Sequence, residues 1–482
     1  MNTQYHERSI SMVMDMYELT MSNGYLNQGF KDTWVAFDVF YRNNPDNGGF
    51  AIFAGLQQVV EYIENLHFSE EDVEYLRSKR LFTEEFLEYL LHFRFRGDIY
   101  AMKEGTVMYP NEPVITVVAP LIDAQLIETT ILLEINHQSL IATKTNRIVQ
   151  AANGKPVSDF GARRAHNVDA AVYGARAAYI GGAAGTATVL AGKMFHIPIS
   201  GTMAHSWVMT FDSEYDAFKA YAESYPDGTV LLVDTYDVLK SGVPNAIRTA
   251  REVLEPMGKK LIGIRLDSGD LAYLSKEARK MLDEAGLSDC MIVASNSLDE
   301  YTISSLNRQG AKIDSYGVGE RLITSSSTPV FGAVYKLVAI QKDGKFIPKI
   351  KISETAEKIT NPGIKEVYRV YDENGKAVAD YLAVKGEQIR DFDPVRYVDP
   401  VNYWKNRSFV GCRFKKLQVP VFEKGKRIYD LPDIEEIRQY VKDQLENEIW
   451  EEEQRFENAH THYLDMSPAM FELKMSLLHE EN

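Results

Sequence analysis

At 482 residues, 45% of them hydrophobic, the chain has room for roughly three domains and a sizeable core. Its 53 lysines and arginines against 69 acids leave a formal charge of −16, which opposes long-range attraction to nucleic acid or anionic membrane surfaces. Two cysteines, Cys290 and Cys412, sit in no paired spacing and exclude a disulfide framework and a cysteine-based metal site.

The start MNTQYHERSI lacks a basic and then apolar leader pattern, and no stretch is apolar for long enough to span a bilayer, so a cytoplasmic location is expected. Residues 1–140 predict an α+β domain of their own: a helix around Met12 to Asn27, the strand-like run WVAFDVFYR, helices between Gln57 and Arg94, and strands including PVITVVAP. A long helix from about Gln125 to Asn153 leads into a βα region, residues 141–340. NVDAAVYGARAAYIGG predicts a further helix there, capped by Asn167 or Asp169 and stopped at Gly181 and Gly182. Residues 341–482 predict β-like runs broken by turns at Asn361-Pro362-Gly363 and Asn374-Gly375, with strands returning to the first domain. An acidic amphipathic helix from Asp433 to Phe456, read as a solvated face, closes this tail.

The chemistry concentrates between Ile197 and Arg321. Five apolar runs turn polar only at their ends: IPISGTMAHS at His205 and Ser206, TVLLVDTYD at Asp234 and Asp237, LIGIRLDSGD at Arg265, Asp267, Ser268 and Asp270, MIVASNS at Ser295 and Asn296, and KIDSYGVGE at Gly317 and Gly319. Helix-like segments separate them, which predicts parallel strands joined by right-handed crossovers and a mouth at the strands' C-terminal ends. Packing alone does not explain five such endings, and they read as an assembled active site.

Each residue also has a bland reading. A lone histidine is more often packed or hydrogen-bonded than catalytic, yet imidazole can fix one nitrogen by a hydrogen bond while the other takes a proton or a phosphoryl group. In RLDSGD, capping of the next helix by Asp267 or Ser268 accounts for one polar residue and leaves the others free to hold Mg²⁺, sugar hydroxyls, or a carboxylate or phosphate on the arginine fork. GVGERL offers backbone amides to an anion at a helix start, although paired glycines also serve simple turns. GGAAGTATVLAG lacks the GxxxxGK[ST] spacing of a nucleotide loop; its small residues suit close helix packing, with Thr186 or Ala187 touching the pocket. In DFGARRAH, which has no accompanying kinase signature, Phe160 beside Arg163, Arg164 and His166 could stack on and neutralise a small anionic ring.

Taken in order, DMYELTMSNGY, DFGARRAH, GTATVLAG, SGTMAHSWVM, RLDSGDL, ASNSLDE, YGVGERL and KISETAEKITNPGIKEVYR resemble the nicotinate phosphoribosyltransferase family from Asp15 to Arg369. The resemblance implies an α/β fold, an irregular, incomplete (β/α) barrel of the type II phosphoribosyltransferase kind packed against an α+β domain. It implies a reaction of nicotinate with phosphoribosyl pyrophosphate, with Mg²⁺ and with ATP as co-substrate hydrolysed through a phosphohistidine, in NAD biosynthesis and salvage. By resemblance His205 is the phosphorylated residue, Tyr17 and Phe160 are the aromatic pair around the pyridine ring, and Tyr17 comes from a second subunit of a homodimer. Arg265 then lies near the pyridine carboxyl, Asp267 near ribose and Mg²⁺, Arg163 beside the phosphates, and Gly317 and Gly319 around the 5′-phosphate, with Thr186, Ser206, Ser295 and Asn296 completing the substrate site.

The related nicotinamide-using enzymes carry an aspartate where this chain has Ala187, and a carboxylate there would repel nicotinate. Many nicotinate enzymes have serine and asparagine where this chain has Ala187 and Thr188. The rival readings are a nicotinamide phosphoribosyltransferase, which Ala187 disfavours, and a non-catalytic phosphosugar-binding protein, against which stands the presence of His205, Arg265, Asp267 and Gly317.

Overall fold

The structure is a computed structural model that describes residues 8–355 and 358–480. Most of the MNTQYHERSI start and two residues of the KISETAEKIT motif, Ala356 and Glu357, lie outside them. The chain divides into two compact units, Ile141–Pro329 and Met1–Leu140 together with Val330–Asn482.

The first of these is the βα unit. Its sheet has six strands, all parallel, in the order Gly185–Thr186, Val157–Asp159, Ser315–Val318, Met291–Ser295, Gly263–Leu266 and Val230–Leu232. Leu231, Ile264, Leu266, Ile292, Ala294, Tyr316 and Val318 are all buried, as a parallel sheet covered on both faces requires. Each leucine, isoleucine and valine among them contributes about 1.5–3 kcal/mol of burial. Helices such as Val168–Ile180, Leu271–Glu284 and Glu300–Arg308 follow strands and start at side-chain caps, Asn167, Asp270 and Asp299 respectively. The sheet is open and irregular, an incomplete βα barrel.

Two of its strands differ from the sequence expectation. IPISGTMAHS is not a full strand: it makes one isolated parallel bridge, Ile199 to Thr186, and His205 opens the short helix His205–Thr210. Pro198 and Gly201 on either side of that bridge limit it. The added strands are Val157–Asp159, which ends at the aspartate of DFG, and Gly185–Thr186 of GTAT, both too short to register as periodic. The small residues of GGAAGTAT thus form a strand as well as a close approach: a Cβ on Gly185 would lie 2.5 Å from the Pro198 carbonyl oxygen.

The other unit contains a seven-stranded antiparallel sheet in which Trp34–Phe40 pairs with both Ile115–Pro120 and Val334–Lys342. The sequence carries the barrel to residue 340; the last strand of that stretch instead continues this antiparallel sheet, so the βα unit ends at Pro329. A second sheet of six strands includes Lys365–Tyr371 and Ala377–Val384, and Leu464–Met466 joins it parallel to the latter. The acidic tail helix is shorter than expected: it runs Ile434–Asp443, opens into a wider turn at Gln444–Glu448, and is followed by Leu464–Met466 and the helix Pro468–Glu480. No helix of the described residues is long and apolar enough to cross a membrane.

Candidate active site

Within the βα unit the C-terminal ends of the strands bring together most of the residues singled out by sequence. The parallel register sets Ser295 beside Gly317, and Asp159 between Val318 and Thr186. Arg265, on the strand Gly263–Leu266, spreads its guanidinium over three acceptors: Nε donates to Ser295 Oγ at 2.8 Å, Nη1 to Thr202 Oγ1 at 3.1 Å and Nη2 to Asp267 Oδ1 at 2.8 Å. Ser295 Oγ also donates to Asp267 Oδ1. The Arg265 guanidinium carbon lies 5.6 Å from the centre of the Phe160 ring, within cation–π range. An aromatic face and an oriented cation therefore share one mouth, the combination that suits a small aromatic anion.

His205 and Asp234 form the second cluster. His205 Nε2 lies 3.2 Å from Asp234 Oδ1, and the His205 side chain is 41% exposed while that of Asp234 is 1% exposed. Asp234 Oδ2 accepts from the Asp267 amide at 3.2 Å and from Ser268 Oγ at 2.5 Å. The buried carboxylate is held by one loop while it orients the imidazole, a second contact of the kind that fixes a histidine tautomer. Capping in RLDSGD falls on Asp270, which accepts from the amides of Ala272 and Tyr273 at 3.1 Å, and not on Asp267 or Ser268. Asp267 is thereby left to the site. Asp237 likewise serves its own loop, accepting from the Leu239 and Lys240 amides.

Phe160 is fixed by its neighbours. Its amide donates to the Val318 carbonyl at 2.8 Å, and a Cβ added to Gly317 would lie 2.4 Å from two carbons of its ring. Gly317 is thus required by the close approach of the ring, apart from any phosphate. Gly319 precedes the helix Glu320–Ile323, a single turn too short to supply much of the dipole expected for anion binding there. Asn296 and Ser297 take left-handed backbone conformations, φ 85° and 47°, and are exposed at the end of Met291–Ser295. Such geometry in residues other than glycine is sustained only when the surroundings hold it. The loop is held from behind: Asp299 caps Glu300–Arg308 and pairs with Arg321, and buried Glu300 accepts from Lys144 Nζ at 2.8 Å and Arg147 Nε at 3.1 Å.

Thr186 is buried, Ser206 is exposed one residue after His205, and Arg163 is exposed on the turn Ala162–Arg164. Tyr17 belongs to the other unit, on the helix Met16–Asn27, where it is 42% exposed and where partial burial and Glu128 push its phenol above the usual range. Sequence reading missed Thr202 and Asp159 as site residues. Both lie within the runs SGTMAHSWVM and DFGARRAH, yet Thr202 sits three residues before the polar end at His205, and Asp159 ends a strand of three residues, too short to show an apolar period. Cys290 is buried, and desolvation pushes its thiol up to about 12, consistent with its plain structural reading.

No group of three or more His, Cys, Asp or Glu side chains that could cage a metal occurs among the described residues. Mg²⁺ seldom needs such a cage, being held by one or two carboxylates and the substrate's phosphates. Asp267 fits that use: only its Oδ1 is engaged by side chains among the described residues.

An incomplete parallel βα barrel with an arginine, carboxylates and an aromatic ring gathered at its strand ends, together with the antiparallel unit, defines a protein of the type II phosphoribosyltransferase class. The human nicotinic acid phosphoribosyltransferase superimposes with a TM-score of 0.87 at 27% identity, covering 97% of this chain and 100% of that one. A nicotinate-nucleotide pyrophosphorylase from Pyrococcus furiosus gives 0.69 at 26% identity over 93% and 99% of the two chains. The chain belongs to the nicotinate phosphoribosyltransferase family: its N-terminal domain matches residues 12–136, the family proper residues 156–374, and its C-terminal domain residues 364–474. A nicotinate phosphoribosyltransferase of Bacillus subtilis (strain 168) is 46% identical over 477 residues, 99% of this chain and 96% of that protein.

Proposed function

We propose that the protein is a nicotinate phosphoribosyltransferase that makes nicotinate mononucleotide and pyrophosphate from nicotinate and phosphoribosyl pyrophosphate, with ATP hydrolysis coupled through phosphorylation of His205. The observation that carries the substrate reading is the Arg265 guanidinium 5.6 Å from the Phe160 ring in a mouth that also holds the His205–Asp234 pair. Phe160 stacks on the pyridine and Arg265 faces its carboxylate. Ala187, at the end of Gly185–Thr186, places no charge where a carboxylate would repel nicotinate.

The nicotinate ring nitrogen attacks the anomeric carbon of the ribose as the bond from that carbon to the pyrophosphate oxygen breaks, and pyrophosphate leaves with the bonding electron pair. The sugar passes through an oxocarbenium-like state, so the protein's work is to align nitrogen, carbon and leaving group. Ser295, Asn296, Gly317 and Gly319 hold the phosphoribosyl group, and Arg163 faces its phosphates. Asp267 would hold Mg²⁺ directly, through water or through the substrate. That ion supplies neutralisation of the charge growing on pyrophosphate.

For ATP coupling, Asp234 takes Nε2 of His205 and leaves Nδ1 as the nucleophile toward the γ-phosphorus; ADP leaves, and water later releases phosphate and resets the imidazole. Tyr17 of a second copy of the chain covers the other face of the pyridine, which makes the active species a homodimer. The test is mass-balanced turnover with nicotinate, phosphoribosyl pyrophosphate, Mg²⁺ and ATP, following nicotinate mononucleotide and ADP together and repeating with nicotinamide. Mononucleotide from nicotinate with ADP in step is the expected result; product from nicotinamide at a like rate overturns the base assignment, and no ADP overturns the coupling.

A further inference from the structure

The mechanism above gives no role to the carboxylate that ends the strand Val157–Asp159. Asp159 is fully buried, and its groups reach in two directions. Oδ1 accepts from the Gly161 amide at 2.8 Å, across the turn that carries Phe160. Oδ2 accepts from Thr186 Oγ1 at 2.8 Å on the neighbouring strand, and the Asp159 carbonyl accepts from the Ala187 amide at 2.8 Å. Thr186 Oγ1 in turn accepts from the Thr188 amide at 2.9 Å. One side chain therefore ties the Phe160–Gly161 turn to the strand end Thr186–Thr188.

We propose that Asp159 is a positioning residue that sets the spacing between the Phe160 ring and the Ala187–Thr188 edge and thereby the enzyme's selection of nicotinate. The inference rests on the reading of Phe160 as the base-stacking residue. An aspartate often bonds an amide two residues on simply to shape a turn, and Oδ1 does this. Oδ2 does something a turn has no need of: it bonds across to the strand that carries Ala187. Phe160 has little latitude of its own, since its amide is fixed to Val318, Gly317 lies against the ring, and a Cβ on Gly161 would come within 2.5 Å of Ile323. Burial pushes the Asp159 carboxyl up, and the bonds from Thr186 and Gly161 oppose that, so loss of the Thr186 hydroxyl removes one of the donors that hold the ionised form in place.

The experiment is steady-state kinetics of the full-length enzyme with saturating ATP for Thr186→Val, which keeps the β-branch and removes the hydroxyl, and for Asp159→Asn, with thermal melts to establish folding. Both variants are expected to raise the KM for nicotinate about tenfold or more, to leave the KM for phosphoribosyl pyrophosphate within about threefold, and to shrink the preference for nicotinate over nicotinamide. Thr186→Ser, which restores the hydroxyl, should recover most of the nicotinate KM lost in Thr186→Val. If Asp159→Asn does not fold, Thr186→Val decides alone. A nicotinate KM unchanged in Thr186→Val, or the two KM values rising together, overturns the inference while leaving the proposed reaction intact. No mononucleotide from the native enzyme would sink the proposed reaction and this inference with it.

Discussion

His205 Nε2 faces Asp234 Oδ1 at 3.2 Å, with the imidazole half open to solvent and the carboxylate buried beneath it. A buried carboxylate of this kind fixes which nitrogen is available and stabilises positive charge on the ring as the other nitrogen is phosphorylated. Asp234→Asn keeps the shape and removes the charge. Charge-assisted hydrogen bonds contribute about 1.5–3 kcal/mol, so phosphohistidine formation should fall roughly 10- to 100-fold. Acid-labile labelling from γ-³²P-ATP and ADP release per mononucleotide measure this. A slower ATP-independent turnover should persist, because among the described residues the side chains of Arg265, Phe160 and Asp267 do not bond Asp234, which meets Asp267 only at its amide; undiminished labelling would exclude the role given to Asp234.

Gly317 and the Phe160 ring compete for the same space. A methyl group at position 317 would lie 2.4 Å from ring carbons Cδ2 and Cε2, a distance that forces the ring to move. Gly317→Ala should therefore raise the KM for nicotinate by about tenfold or more, with a smaller effect on the phosphoribosyl pyrophosphate KM. Were the glycine needed chiefly for a backbone approach to phosphate, the larger change would fall on phosphoribosyl pyrophosphate instead.

Glu18 lies beside Tyr17 on the helix Met16–Asn27 and is fully buried. Its Oε1 accepts from the Thr129 amide at 3.2 Å and from the Thr129 hydroxyl, while no hydrogen bond reaches Oε2. Desolvation pushes its carboxyl up to about 7, against the opposing bond from Thr129. The folded state thus holds the proton more tightly than the unfolded chain does, and the stability this group contributes is fully present below about pH 4.5 and is lost as pH rises to about 7. Glu18→Gln has no such titration. Urea unfolding of the two proteins should show the difference shifting in the variant's favour by about 2 kcal/mol between pH 4.5 and 7.5. A pH-independent difference would place the ionised form of Glu18 in a more solvated setting.

Much of this site was legible in the sequence because strand ends announce themselves: a run such as LIGIRL is apolar until the chain leaves the sheet, and the residues that follow face the mouth. Arg265, Asp267 and Ser295 follow this rule, and the structure brings them within hydrogen-bonding distance. The rule fails where a strand is two or three residues long. Val157–Asp159 and Gly185–Thr186 contain too few apolar positions to show a period, so the sequence does not mark Asp159 or its bond to Thr186. The run IPISGTMAHS reads as strand-like up to His205, whereas the short helix His205–Thr210 starts there from Ala204 without a side-chain cap, and a boundary at residue 340 falls inside the strand Val334–Lys342, whose antiparallel mate lies about 300 residues earlier. Pairing at that sequence separation leaves no local trace.

Arg265 is the residue on which these strand ends converge, and its geometry predicts that lysine cannot replace it. Three of its N–H groups are spent on Ser295, Thr202 and Asp267, which lie on three separate segments, and the remaining donors of the planar fork are left for a substrate carboxylate. A lysine ammonium is a single point on a flexible stem and cannot span those acceptors while presenting a second pair of donors. In Arg265→Lys the Ser295 hydroxyl and Asp267 stay bonded to each other but lose the cation that aligns them. The expected result is a fall of about 100-fold in kcat/KM for nicotinate, carried mainly by KM, with the nicotinamide reaction changed much less because an amide gains little from the second positive donor. Parallel progress curves with the two bases check it. An equal loss with both bases would show that Arg265 serves the sugar and its leaving group through Asp267, and the carboxylate would then need another cation in the same mouth, for which Arg163 is the exposed candidate.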